Sequence, residues 1–321
     1  MERDKPKILV SRCLTFESCR YDGGIVNDDF ITALKPHVEF KTVCPEVEIG
    51  LGVPRQWLSL VKDGDEFILY QRATELDFTE DIREYAKKVF KNNPDADGFI
   101  LKGRSPSCGI GDVKFYPSKD NKIQGGKATG IFGELVLSHY KNYPVESEGR
   151  LRNFTIRESF LTKLYTLFRF RAIQESLKIK DLVKFQAQHK FLLQSYSENG
   201  MRALGRICAN HDQLPAEEVI DLYFDALLEV FNEEQKYTKN INILDHCFGF
   251  VSDYLKADEK NYYFDIIKQY RHGKLPLSVP VNIIRSWAIK HEVDYLLEQY
   301  YFNPYPMDLV DISDSGKGRD F

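Results

Sequence analysis

The first 145 residues alternate two hydrophobic patterns. KILVSR (7–12), VEFKTV (38–43) and DGFILKG (97–103) are short runs rich in β-branched and aromatic residues between polar turns, and they predict strands. WLSLVKDGDEFILYQR carries two more such runs around Asp63-Gly64, a tight-turn pair, and predicts a hairpin. TEDIREYAKKVFKNN (79–93) spaces its apolar residues for a helix opened by Thr79, and GIFGELVLSHYKN (130–142) predicts another. Strands separated by helices imply an α/β domain with a mostly parallel sheet.

The pattern changes near Tyr143-Pro144, where the polar stretch ESEGR follows. Beyond it every periodic segment is helical. TIRESFLTKLYTLFRFRAIQES has capping-box spacing at Thr155 and Glu158, and apolar residues at 160, 161, 164, 167 and 168. LVKFQAQHKFLLQSYS, AEEVIDLYFDALLEVFNE after Pro215, INILDHCFGFVSDYL, and DEKNYYFDIIKQYRHG closed by Gly273 predict further helices. VNIIRSWAIKHEVDYLLEQYYF after Pro280 reads as one more. The expected organisation is an α/β domain over 1–145, a basic helical connector over 146–180, an all-α domain over 181–310 and a flexible tail over 311–321.

Composition changes this picture little: 43% hydrophobic and 29% charged residues over 321 positions suit a globular protein. No apolar run approaches the roughly 20 residues that span a bilayer. The first residues, MERDKPKILVSRC, lack a signal-peptide pattern, so the expected location is cytoplasmic. Net charge is −4, which alone argues against a nucleic-acid partner. The distribution argues otherwise, because residues 150–206 hold 12 basic and 4 acidic side chains, net +8. A local positive field attracts a polyanion even when the total charge is negative.

The six cysteines lie at 13, 19, 44, 108, 208 and 247, and no CxxC pair supports a zinc-finger reading. Cys13 and Cys44 end predicted strands, and Cys108 follows the third by the short loop RSPS. Parallel strands converge at their carboxyl ends, where open α/β sheets bind ligands. Two readings stay open on spacing alone: three thiols meeting at one site, or three separate small core residues. Glu46 and Ser105 stand beside two of the thiols and favour the site. Three thiolates suit a soft metal centre with one position left open, and a three-cysteine iron–sulfur cubane leaves one iron for a sulfur atom.

S-R-C-L (11–14), R-Y-D-G-G (20–24), V-C-P-E (43–46) and K-G-R-S-P-S-C-G (102–109) together resemble the signature of the thiouracil desulfidase (TudS) family. The resemblance implies a [4Fe-4S] cluster on Cys13, Cys44 and Cys108. It further implies Glu46 and Ser105 as the catalytic acid/base pair, and removal of sulfur from a thiolated pyrimidine without net redox change. Cys19 is not counted among the ligands. Arg20, Tyr21 and Asp22 fall at the site mouth as substrate-binding candidates. LVKFQAQHKFLLQSYS…MRALGR (182–206) and YLLEQYYFNPYP (295–306) look like the YbgA-type helical domain. That domain behind a desulfidase domain is similar to the RudS-type desulfidases, which act on 4-thiouridine in tRNA.

The resemblance therefore implies a hydrolytic tRNA 4-thiouridine desulfidase that yields uridine and sulfide. The rivals are a free thiouracil desulfidase and a non-catalytic iron–sulfur or RNA-binding protein. Arg150, Arg152, Arg169, Arg171, Lys190, Arg202 and Arg206 are the expected phosphate contacts, with His189 beside them. Phe160, Tyr165, Phe168 and Phe170 read as a core helix face rather than a base-stacking surface. GGKATG (125–130) lacks phosphate-loop spacing, and Asp245-His246-Cys247 are adjacent helical residues that point apart.

Overall fold

The computed structural model describes residues 5–313. They form two compact units, one of residues 5–168 with 309–313, the other Arg169–Asp308. The first contains all nine strands of the described residues: β1 Lys7–Ser11, β2 Glu39–Val43, β3 Ser59–Asp63, β4 Glu66–Gln71, β5 Leu76–Asp77, β6 Gly98–Leu101, β7 Val113–Tyr116, β8 Gly126–Ala128 and β9 Val145–Ser147.

One sheet, ordered β2-β1-β6-β9, is parallel throughout. Parallel sheets are covered on both faces, so their strands carry continuous apolar runs. Accordingly Ile8, Val10 and Ile100 are fully buried, and so are Phe99 and Leu101, which point to the opposite side. Phe99 and Leu101 share a core with Leu60 of β3, Leu69 of β4, and Ile82 and Phe132 of the helices Thr79–Asn92 and Ile131–His139. Full burial of such a side chain contributes about 1.5–3 kcal/mol. The second sheet, ordered β5-β4-β3-β7-β8, is antiparallel except between β3 and β7.

The predicted hairpin is β3–β4, with Asp63 opposite Glu66. Several helix ends differ from expectation, each for a local reason. The side chain of Asp77, not Thr79, accepts the first N–H of Thr79–Asn92, while the Thr79 hydroxyl accepts from Leu69 N. Asn153 accepts the N–H of Ile156 at the start of the helix Phe154–Ser176, which places Thr155 inside that helix rather than at its cap. The long helix expected after Pro280 is two, Ser278–Lys290 and Asp294–Leu297, because Glu292 turns left-handed with φ +54°. The helix Glu198–Ala209 adds an element, capped by the Ser197 hydroxyl on Gly200 N. Of the polar tail expected over 311–321, residues 314–321 lie outside the described residues.

The second unit is helical throughout its regular structure. Phe170, Phe191, Tyr223, Leu227, Leu244 and Tyr263 are at 0% exposure and form its apolar interior. No helix among the described residues is long and apolar enough to cross a membrane.

Candidate active site

The order β2-β1-β6 sets the carboxyl ends of three strands side by side. Cys13 lies just past β1. Cys44 directly follows β2 at the N-cap position of the short helix Pro45–Glu48, and Cys108 lies in the loop between β6 and β7. All three are free thiols; Cys44 and Cys108 are buried and Cys13 is half-buried. Backbone bonds from Arg12 N to Val43 O (2.8 Å) and from Val26 N to Cys13 O (2.9 Å) hold the loop after β1. That loop returns Cys19, also buried, to hydrogen-bond the Cys44 thiol.

Burial pushes the Cys13 thiol up to about 11; Cys44 adds to the shift and Lys102 opposes it. Burial, then Cys44 and Cys13, pushes Cys19 up to about 12. Cys44 and Cys108 are raised as well, again first by burial, and the nearby Glu46 adds to both. The Ser11 hydroxyl bonds the Cys108 thiol and accepts the Lys102 N–H at 2.9 Å. Soft donors that repel one another as thiolates are what a cationic metal centre neutralises. Ligands of a polynuclear cluster bind different metal atoms, so they need not close on one point. Among the described residues no group of three or more His, Cys, Asp or Glu closes on a single ion. The donor chemistry fits an iron–sulfur cluster.

Glu46, 8% exposed, sits two residues past Cys44 in the same short helix. Its Oε2 accepts two bonds from Arg55, from Nε at 2.8 Å and Nη2 at 2.7 Å. Arg55 also donates to the carbonyls of Cys19 and Gly52, both at 3.0 Å. Oε1 accepts the Ser107 hydroxyl at 2.8 Å. Ser105 Oγ is further off, at 3.5 Å, and accepts instead from Cys108 N (3.1 Å) and Ser107 N (3.3 Å). Sequence reasoning paired Glu46 with Ser105 and passed over Arg55 and Ser107. Ser107 was visible within the motif; Arg55 was not, since nothing local in GVPRQW marks a partner for Glu46.

The loop of Cys108 rests on the helix Ile131–His139. Gly130, Ile131 and Gly133 donate their N–H groups to the carbonyls of Gly109 (2.9 Å), Pro106 (3.3 Å) and Ser107 (3.0 Å). These are first-turn donors that no helical carbonyl satisfies. A Cβ at Gly130 would lie 2.6 Å from the carbonyl oxygens of Pro106 and Ser107, and one at Gly133 2.6 Å from that of Gly109. Only glycine permits this approach.

A family model described as 2-thiouracil desulfurase matches residues 8–148. Over 153 residues the chain is 31% identical to the uncharacterized protein YbbK of Bacillus subtilis (strain 168), covering 46% of this chain and 98% of that protein. The chain belongs to the 2-thiouracil desulfurase family. A second model, described as a protein of unknown function (DUF1722), matches residues 190–306. The uncharacterized protein YbgA of Escherichia coli (strain K12) is 22% identical over 159 residues, 47% of this chain and 94% of that one. Among solved structures, a [4Fe-4S]-dependent thiouracil desulfidase, TudS, aligns at 28% identity over 46% of this chain and 93% of its own, with a TM-score of 0.37.

In the desulfurase region Arg20 pairs with Asp22 (Nε to Oδ1, 3.2 Å) and is close enough to Cys13 for the thiol to act on it. The Asp22 carboxyl is held below the usual range by that arginine and by Gly24 N–H. Tyr21 is 47% exposed, and its carbonyl accepts Arg55 N. The seven cations expected to meet phosphate are divided between the units. Arg150 pairs with Glu146 (2.7 Å) and Arg202 with Glu198 (2.7 Å). Arg169 donates to Pro304 O (2.7 Å) and lies 3.8 Å over the Tyr300 ring, and Lys190 lies 5.9 Å from the centre of the Phe191 ring. Arg171 is half-buried, whereas Arg152 and Arg206 are exposed.

His189 is corrected outright as a phosphate contact. It is 1% exposed, stacked between Phe185 and Tyr300, with Nδ1 at 2.8 Å from Phe185 O. Phe160, Tyr165 and Phe170 are buried, as a core face requires.

Proposed function

We propose that this protein replaces the sulfur of a thiolated pyrimidine by oxygen, using a [4Fe-4S] cluster bound by Cys13, Cys44 and Cys108, with 4-thiouridine in tRNA as substrate. The observation that supports the reading is that Cys13, Cys44 and Cys108 lie beyond the carboxyl ends of three adjacent parallel strands, near enough for their thiols to influence one another, beside a carboxylate anchored by Arg55. A cluster held by three cysteines supplies one iron without a protein ligand, a soft Lewis acid for sulfur. The reaction consumes water, breaks the carbon–sulfur bond, forms a carbonyl and releases sulfide, with no change of oxidation state.

Glu46 is the general base. Arg55 occupies its Oε2, which leaves Oε1 to take a proton from water as the new C–O bond forms. Ser107 orients that oxygen from 2.8 Å, and the proton is then returned to the departing sulfur. Ser105 shapes the ligand loop through the N–H of Cys108 and remains within 3.5 Å of Oε1. Arg20 and Asp22, a paired loop near Cys13, line the approach of the pyrimidine. The net +8 of residues 150–206 supports RNA as the carrier of the base. Its exposed cations Lys180, Lys184 and Arg206 lie in the second unit.

The test is anaerobic reconstitution followed by sulfide release from thiolated tRNA and from free thiouracil. Release from tRNA with a lower KM than from the base is expected. Release from the base alone would move the substrate to free pyrimidines. A full cluster without release from either would make this a non-catalytic iron–sulfur protein.

A further inference from the structure

A cavity of about 690 Å³ opens on the second sheet of the first unit, lined by Trp57, Ser59, Arg104, Lys114, Tyr116 and Lys127 among others. The proposed reaction uses none of these side chains. Three features set the cavity apart from an ordinary surface hollow.

The first is charge. Lys114 of β7 and Lys127 of β8 are direct cross-strand partners, and both are exposed. Like charges directly opposite one another destabilise a strand pair unless something negative lies between them. Arg104 adds a third exposed cation. One carboxylate, Asp112, belongs to the lining, and its Oδ1 is taken by the Arg104 N–H at 2.9 Å.

The second is an unsatisfied hydroxyl. Ser59 is 2% exposed, and its Oγ has no hydrogen-bond partner. A buried hydroxyl without a partner is costly, and a ligand atom in the cavity supplies one. The third is an aromatic wall. Trp57 is 47% exposed, and its ring centre lies 6.4 Å from that of Tyr116 with the planes tilted by 53°. Arg72 covers Tyr116 at 4.6 Å, so Trp57 offers the open ring.

We infer that this cavity binds a nucleoside phosphate: the base stacks on Trp57, the phosphate sits between Lys114, Lys127 and Arg104, and Ser59 bonds the base or ribose. Stacking on one aromatic ring accepts any base, and paired lysines accept any phosphate. The cavity is joined to the thiols by one loop. Arg104 and Pro106 line it, while Ser105 and Cys108 of the same loop belong to the thiol site. This rests on the desulfurase reading for its biological sense: the cavity holds a nucleotide attached to, or neighbouring, the thiolated base. Its chemistry serves a free nucleotide and a nucleotide within an RNA chain equally.

Binding is measurable without turnover, so the two readings fail separately. The probes are uridine 5′-monophosphate and a short uridine-rich RNA oligonucleotide, titrated against the full-length protein by tryptophan emission. The chain has two tryptophans, so Trp57→Phe identifies the reporter. Quenching by either probe is expected, lost in Trp57→Phe, with Kd raised at least tenfold in Lys114→Glu/Lys127→Glu. Both lysines are exposed, and an unchanged circular dichroism melt confirms that the double variant is folded. A Ser59→Ala protein should bind severalfold more weakly. Tighter binding of the oligonucleotide assigns the site to RNA, and equal or weaker binding assigns it to free nucleotides. No quenching by either probe, quenching that survives Trp57→Phe, or an unchanged Kd in the lysine variant overturns the inference. Nucleotide binding in a protein that releases no sulfide would leave the cavity standing and remove the desulfurase reading.

Discussion

Each thiol of the site has a distinct anchor: the loop after β1 for Cys13, a short helix for Cys44, a hydroxyl-capped turn for Cys108. Replacing any one by alanine should abolish the iron and sulfide bound after anaerobic reconstitution. Cys208→Ala and Cys247→Ala should bind as the parent does, since both thiols are buried in the second unit. Retention of a full cluster in Cys44→Ala would refute the ligand set. Glu46→Gln should keep the cluster and lose about 10²–10⁴ in turnover, the usual contribution of a general acid–base group. Ser107→Ala should lower kcat more than Ser105→Ala, because Ser107 makes the 2.8 Å contact with Glu46. The reverse order would return the proton relay to Ser105. The positions of Cys13 and Cys44 at strand ends were legible because each closes an apolar run, whereas Cys108, seven residues past β6, and the role of Glu46 were readable only through the family motifs. Arg55 was legible in neither way, because its partner is chosen by the tertiary path of residues 47–54, which has no periodicity to read.

Strands with continuous apolar runs, such as GFIL in β6, were legible from pattern alone. β7 and β8 were not. They have four and three residues, too few to show alternation, and their pairing depends on a long-range register. The helix Ile179–Tyr196 carries a feature open to direct test. Burial, with Arg169 nearby, lowers the His189 pKa from 6.5 to about 3. Below about pH 6.5 the unfolded chain takes up a proton that the folded chain refuses. The stabilisation is therefore complete above pH 6.5, falls as pH drops, and is gone once pH passes through about 3. Between pH 6.5 and 5.5 this one group should remove about 1 kcal/mol of stability. Urea unfolding of the parent and of His189→Phe at both pH values measures it. An equal pH dependence in the two proteins would show that His189 titrates normally.

Across the chain, charge is divided more sharply than hydrophobicity. Residues 207–321 hold 11 basic and 20 acidic side chains, so the positive field comes from residues 150–206. Glutamate at Lys180, Lys184 and Arg206 should raise the KM for thiolated tRNA severalfold and flatten its salt dependence, since each lost phosphate contact reduces the slope of log K against log salt. KM for free thiouracil should change far less; equal losses on both substrates would point to a damaged fold. The glycine-backed seat of the Cys108 loop has a consequence for the life of the protein after assembly. Its hydrogen bonds run from helix backbone to loop backbone and involve no metal. Protein whose cluster has been removed by chelation is therefore expected to keep this loop seated and to refill on anaerobic reconstitution, measured as iron and sulfide bound, whereas Gly130→Ala should fill poorly even the first time.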